Sequence, residues 1–242
     1  MKYAIIADIH ANLEAWLAVK AELTKENPDK IICLGDIIGY GANPKECLDE
    51  AKVSCDYIIA GNHDWAVCGL FDVNSFNLYA REAVEWTDGV IDEKHKDYLK
   101  RLPVTLDIDN FTCVHGSLYH PDEFNYILNL DAAAMTFANL KKDICFIGHS
   151  HSPAIIVYDE NGDINYIDSE VIEIIEGKKY IINAGSVGQP RDGNPAACYC
   201  IYNADEKIIE IKRVPYEVHL AQKKIIEAGL PHFLATRLAG GR

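Results

Sequence analysis

The chain has 242 residues, enough for one large domain with its own core, and a composition of 49% hydrophobic and 25% charged residues places it among ordinary globular proteins. Its net charge of −14, from 23 basic and 37 acidic residues, excludes a scanning mode on DNA or RNA, which needs a basic footprint. It does not exclude a phosphate substrate, because bound divalent cations would reverse the local charge.

No apolar run approaches the ~20 residues that span a bilayer. The N-terminal stretch Met1 to Asp8 reads as a strand leading into an acidic residue. It lacks the long apolar core and small-residue cleavage site of a secretory signal, which predicts a cytoplasmic protein with no membrane partner.

In chain order, residues 3–7 and 30–34 are short apolar runs that read as strands. Between them Leu13, Trp16, Leu17 and Ala21 recur at helical spacing, and Asn12 stands where an N-cap belongs. A helix follows near 43–51, opened by Pro44 in its first turn, and a third strand covers 57–60. The stretch 65–101 is mostly helical in pattern and rich in Tyr, Trp and charge, and it is expected at the rim of any site built from the flanking segments. Its aromatic residues Trp65, Phe71, Phe76, Tyr79, Trp86 and Tyr98 could stack on a base or pack the helices together; packing is the favoured reading.

From residue 104 the texture changes. Runs at 104–108, 111–114, 144–147, 154–158, 164–167, 171–175, 179–182, 196–202 and 207–214 read as successive strands, interrupted by one helix near 131–142. Asn161-Gly162 and Asn203-Ala204-Asp205-Glu206 mark hairpins. A last helix near 216–228 breaks at Gly229-Leu230-Pro231, leaving a tail to residue 242. A βαβ half followed by a strand-rich half predicts an α/β (α+β) fold: two mixed sheets face to face with helices outside, a four-layer α-β-β-α sandwich in one domain over 1–242.

The eight cysteines are Cys33, Cys47, Cys55, Cys68, Cys113, Cys145, Cys198 and Cys200. Several lie inside apolar runs, and a free cysteine behaves as a small buried hydrophobe. They are read as reduced core residues. The alternative is a zinc site, but no C-x-x-C pair supports it.

Metal-type side chains sit at the ends of these runs. Asp8-Ile9-His10 follows the first strand, and strand alternation would let Asp8 and His10 reach one ion while Ile9 points inward. Gly35-Asp36-Ile37-Ile38-Gly39 follows the second strand, with glycines that let backbone approach and turn sharply. Gly61-Asn62-His63-Asp64 follows the third, His115-Gly116 follows the run 111–114, and Gly148-His149-Ser150-His151 follows 144–147. Each block alone reads equally well as a turn. Jointly they do not: five of the nine histidines fall at strand ends beside Gly, Asp or Asn, where an α/β fold puts its chemistry. Mixed Asp, His and Asn ligands suit Mn, Fe or Zn. Seven ligands exceed one tetrahedral ion and fit two ions sharing a carboxylate.

This ordered set resembles the calcineurin-like metallophosphoesterase superfamily, from Asp8 to His151, at a length typical of its small bacterial and archaeal members. Gly39 stands where many members have Asp or Gly. The resemblance implies that Asp8, His10 and His151 hold one ion, that Asn62, His115 and His149 hold the other, and that Asp36 bridges both. It implies two divalent or transition ions, manganese first and iron, zinc or nickel as alternatives, about 3.5–4 Å apart with a bridging hydroxide as nucleophile. His63 would stabilise the transition state and protonate the leaving oxygen. Asp64 would orient His63 or tie down its loop. The Gly/Pro-rich segment 183–193 could border the site, with Arg191 on a phosphate, or be a plain connector.

The function so implied is hydrolysis of a small phosphate ester, a phosphodiester or nucleotide before others. The alternatives are a phosphomonoesterase, a serine/threonine protein phosphatase, or a non-catalytic metal-binding scaffold. A scaffold has no physical reason to keep a buried cluster of carboxylates and imidazoles, which is costly without metal.

Overall fold

The computed structural model describes residues 1–242. The first half alternates strand and helix: β1 (Lys2–Ile6), α1 (Leu13–Glu26), β2 (Lys30–Cys33), α2 (Pro44–Ser54) and β3 (Tyr57–Ile58), then α3 (Asn62–Val67), α4 (Leu78–Val90) and α5 (Glu93–Leu99). The second half is strand-rich: β4 (Thr105–Ile108), β5 (Phe111–Val114), α6 (Leu130–Asn139), β6 (Ile144–Ile147), β7 (Ala154–Tyr158), β8 (Ile164–Ile167), β9 (Val171–Glu173), β10 (Lys179–Asn183), β11 (Ala197–Asn203) and β12 (Ile208–Val214). It closes with α7 (Val218–Glu227) and α8 (His232–Thr236), so the tail after Gly229 is helical, not a plain extension.

Two six-stranded mixed sheets result, ordered β3-β2-β1-β11-β12-β9 and β4-β5-β6-β10-β7-β8. Alternation along β1 explains how they stack. Tyr3, Ile5 and Ala7 point between the sheets, where they meet Phe111, Ile144 and Phe146. Ala4 and Ile6 point outward under Trp16, Val19 and Leu48 of the first two helices. On the far face of the second sheet Ile147 and Ile181 pack against Ala133 and Phe137 of α6. The four layers are therefore helix, sheet, sheet, helix, and the inter-sheet layer is a buried apolar core.

Local chemistry sets the element ends. Asn12 caps α1 by accepting the Ala15 N–H at 3.2 Å, and Asn27 closes the helix in the left-handed region with φ +48°. The buried stripe of α1 is Ala15, Trp16, Val19 and Leu23, while Leu17 is 46% exposed. The stripe is rotated from the one its apolar spacing suggests, because bulky Trp16 at the sheet decides the facing. All eight cysteines are free thiols, six of them buried, and burial pushes the thiols of Cys33, Cys47 and Cys113 well above their usual range. No helix is long and apolar enough to cross a membrane.

Candidate metal centre

The metal-type residues come together at one end of the two sheets, but not by strand alternation. β1 stops at Ile6, so Asp8 and His10 lie in a loop with φ +55° and +49°. Asp36, His149 and His151 are likewise left-handed, at +52°, +66° and +60°. The Asp8/His10 and His149/His151 pairs therefore share a site because tight turns fold the side chains inward, not because residues two apart share a strand face. Each such residue costs ~1–3 kcal/mol and persists only where its surroundings impose it. β3 also stops short, at Ile58, and Asn62, His63 and Asp64 form the first turn of α3 instead of a strand end.

Two overlapping groups of donors form: Asp8, His10, Asp36 and His151, and Asp36, His115 and His149. Within each, the ligand atoms lie within 4.8 Å of one another. Asp36 Oδ2 stands 3.5 Å from His10 Nε2 and 3.3 Å from His115 Nε2. Asp8 Oδ1 stands 3.4 Å from His151 Nε2 and 3.8 Å from the Nε2 atoms of His10 and His115. Asn62 lines the same cleft as His149. All seven residues are buried.

The outer contacts aim the donors. The Nδ1 atoms of His10, His115 and His151 face the carbonyl oxygens of Ile38 at 3.1 Å, Leu34 at 2.7 Å and Gln189 at 2.6 Å. A carbonyl only accepts, so each Nδ1 carries a proton; the neutral rings of His10 and His151 present an Nε2 lone pair inward, and His115 does so once its second proton is lost. His10 Nε2 and His151 Nε2 are 3.0 Å apart, two lone pairs facing each other. Burial holds both rings well below their usual pKa, so a proton is disfavoured there and a metal cation satisfies both. Asp8 Oδ1, Asn62 Oδ1 and His115 Nε2 are buried with no hydrogen-bond partner, a costly state without a cation. The residues fit divalent or transition ions.

Charge in the metal-free cluster is shared unevenly. Burial pushes Asp8 up to about 7, with Asp36 adding to it. Burial acts on Asp36 in the same sense, yet His115, His63 and His10 hold it well below the carboxylate range. Burial would lower His115, but Asp36 and Asp8 raise it to about 9. Asp8 and His115 therefore carry the protons that a metal must expel. Metal binding is expected to release protons, more at pH 6 than at pH 8, and affinity is expected to rise with pH over that interval. Calorimetric titration in buffers of different ionisation enthalpy measures this; proton-neutral binding throughout would contradict the assignment.

His63 is not among the converging donors. Its backbone N–H donates to Asp36 Oδ1 at 2.8 Å, while its ring lies between Tyr40 (centroids 4.4 Å apart) and Phe76 (4.7 Å). Nδ1 is buried without a partner, and burial lowers the ring's pKa to about 4. Gly39 makes room for it: φ is +89°, and a Cβ there would fall 2.6 Å from His63 Nδ1. Asp64 makes no hydrogen bond to the His63 ring. Its carboxylate accepts the N–H groups of Asp36 (2.8 Å), Ile37 (3.1 Å), Ile38 (3.3 Å) and Gly61 (3.1 Å). Of the two roles open to it, the geometry is that of the loop tie, away from the reacting face, and a catalytic label does not suit it. Asp64→Asn turns one acceptor oxygen into a donor facing buried amides, and a loss of ~2–3 kcal/mol in urea unfolding is expected; an unchanged midpoint would contradict this.

Above the cluster opens a cleft of about 420 Å³ whose wall includes His63, Arg191 and Arg237. The segment 183–193 borders it and braces the donors. Asn183 Nδ2 donates to the Gly148 carbonyl at 2.7 Å, Ser186 Oγ to the Asp8 carbonyl at 2.9 Å, and the Arg191 N–H to the His151 carbonyl at 3.0 Å. Of the aromatic residues between 65 and 101, Phe71 and Phe76 line the cleft; Trp65 packs edge-on to Phe124 and Tyr79 stacks on Phe233. Sequence reasoning missed Tyr40, Tyr126 and Arg237. Tyr126 stacks on His149 with centroids 3.7 Å apart, and no local pattern marks it or Arg237. Tyr40, next to Gly39, could have been found from that block.

A model of the calcineurin-like phosphoesterase superfamily domain matches residues 1–207. A protein of Methanocaldococcus jannaschii described as uncharacterised is 39% identical over 243 residues, covering 99% of this chain and 98% of that one. The crystal structure of a metallophosphoesterase from Sphaerobacter thermophilus is 41% identical, with a TM-score of 0.88 over 100% of this chain and 99% of that one. A hypothetical protein from Pyrococcus horikoshii shares the fold at 17% identity, with a TM-score of 0.80 over 100% and 98% of the two chains. The chain belongs to the calcineurin-like phosphoesterase superfamily and is a metal-dependent phosphoesterase.

Proposed function

We propose that the chain hydrolyses a small phosphate ester, a phosphodiester or nucleotide, with two metal ions, manganese before iron, zinc or nickel. The observation that carries this is the set of inward lone pairs divided into two groups that share Asp36, at the floor of a small cleft. Asp8, His10 and His151 would hold one ion, Asn62, His115 and His149 the other, and Asp36 both. Bound there, such ions lower the pKa of water towards neutrality and neutralise phosphoryl charge as it develops.

The chain's own residues do the rest. His63 is neutral at pH 7 and its ring lines the cleft, with Nδ1 turned to Gly39, as a group able to exchange a hydrogen bond with the leaving oxygen. A phosphoryl anion beside it raises its pKa and readies it as the general acid. Arg191 offers a planar fork of donors to the non-bridging oxygens. The cleft volume suits a small molecule, and the acidic balance of the chain speaks against extended nucleic acid.

The manganese-reconstituted protein, offered bis(p-nitrophenyl) phosphate and p-nitrophenyl phosphate side by side, tests the reading. Faster turnover of the diester supports it. Preference for the monoester moves the assignment to a phosphatase. Two ions bound per chain with no turnover of either would overturn the enzyme reading for small esters and favour a phosphoprotein substrate or a scaffold.

A further inference from the structure

The wall of the cleft carries two cationic side chains, Arg191 from the loop after β10 and Arg237 just beyond α8. Neither is paired with an Asp or Glu side chain, in a chain with 37 acidic residues. Arg191 gives Nη2 to the Gln189 amide oxygen at 2.9 Å, lies over the Tyr40 ring, and leaves a buried Nε with no partner. Arg237 gives Nε to a terminal carboxyl oxygen of Arg242 and lies over the Phe233 ring, 5.3 Å from its centroid. The carboxylate nearest Arg191 in sequence, Asp192, is taken by Arg213. The one carboxylate on the cleft wall, Glu123, accepts from Asn125 instead.

Two guanidinium groups on one cleft wall with no Asp or Glu partner repel each other. Burial and the charge of Arg191 lower the pKa of Arg237 to about 10. Arg191 acts on Asp8, His10, His63, His149 and His151, all in or beside the metal centre. Tyr40, packed against His10 and His63, feels the charge of Arg191 and, more weakly, that of Arg237. A single phosphoryl group over the metal centre that engages Arg191 leaves Arg237, on the same cleft wall, without a phosphate partner.

We propose that Arg237, together with Arg191, forms a second anion subsite, so that the substrate carries a further phosphate a few bonds from the one that is hydrolysed. The proposal rests on the phosphoesterase reading of the same cleft and narrows its substrate to organic bisphosphates and polyphosphates. Phe71 and Phe76 supply an apolar floor for the spacer between the two anions.

Propyl phosphate and propane-1,3-diol bisphosphate test this as a pair differing by one anion. In the manganese-loaded protein, the bisphosphate is expected to inhibit bis(p-nitrophenyl) phosphate hydrolysis at least about tenfold more tightly than the monophosphate. Arg237→Met is expected to reduce that ratio to about two, the statistical limit of a ligand with two equivalent ends. Arg237→Lys, which keeps charge without the fork, is expected to fall between. A second readout needs no turnover: calorimetric binding of propane-1,3-diol bisphosphate to the metal-free protein, expected to weaken at least about fivefold in Arg237→Met. Matched melting temperatures show that the variants are folded. Equal inhibition by the two ligands in the wild type, or a ratio unmoved by Arg237→Met, overturns the proposal. Absence of diester turnover with the calorimetric difference intact removes the proposed function and leaves the subsite standing.

Discussion

Asp36→Asn is expected to lower kcat/KM by at least about a thousandfold and to bring bound metal below two ions per chain. The substitution is close to isosteric. Oδ1 can still accept the His63 N–H, so the start of α3 keeps its tie. What changes is Oδ2, which faces His10 Nε2 at 3.5 Å and His115 Nε2 at 3.3 Å and is the only oxygen common to both donor groups. An amide there supplies at best one neutral donor atom where a carboxylate supplied a charge to two positions. The same variant is expected to lose most of its stabilisation by metal. Ligand at a hundred times its dissociation constant contributes about 2.7 kcal/mol, roughly 5–10 °C in melting temperature for a chain of this size. Metal analysis, melting curves with and without manganese, and turnover together check the result. Retention of two ions with wild-type turnover would remove Asp36 from the bridging position.

His63→Ala is expected to behave differently, keeping its metal and losing kcat by a factor of roughly 10²–10⁴. The ring is buried between Tyr40 and Phe76 and faces the cleft, while the converging lone pairs belong to other residues. Truncation leaves a cavity there, so His63→Gln, which fills the space, separates lost packing from lost chemistry. Leaving-group dependence gives the sharper readout. If the ring helps to protonate the departing oxygen, the loss is small for esters of p-nitrophenol and large for esters of aliphatic alcohols, which leave poorly without a proton. A uniform loss across leaving groups would assign the ring to phosphoryl-oxygen stabilisation alone. A loss of metal would put it in the ligand set.

Particular residues show what could be known before the fold was seen. Asn12 as a cap, Pro44 at the head of a helix and Asn161-Gly162 between two strands are decided by neighbours within a few positions, and a linear string displays them. The alternation Tyr3, Ala4, Ile5, Ile6 likewise announces a strand buried on both faces. The metal-type residues were legible for a related reason: each sits in a short block at the end of an apolar run, and the series of blocks is itself a pattern.

Other features depended on long-range contact. Positive φ at Asp8, His10, Asp36, His149 and His151 is not what their side chains prefer; it is imposed by loops that lock together, as when Asp8 Oδ2 accepts the His149 N–H at 3.0 Å. Asp64 became a loop tie because four amides from two segments converge on it, and no spacing encodes that meeting. Arg237 reached the cleft only because α8 folds back against α4 and Tyr40. The sequence by itself determined which side chains could do the chemistry and which segments would carry them, since propensity and pattern act locally. The tertiary structure decided how those side chains face one another and which distant charge joins them, since that is set by packing between segments far apart in the chain.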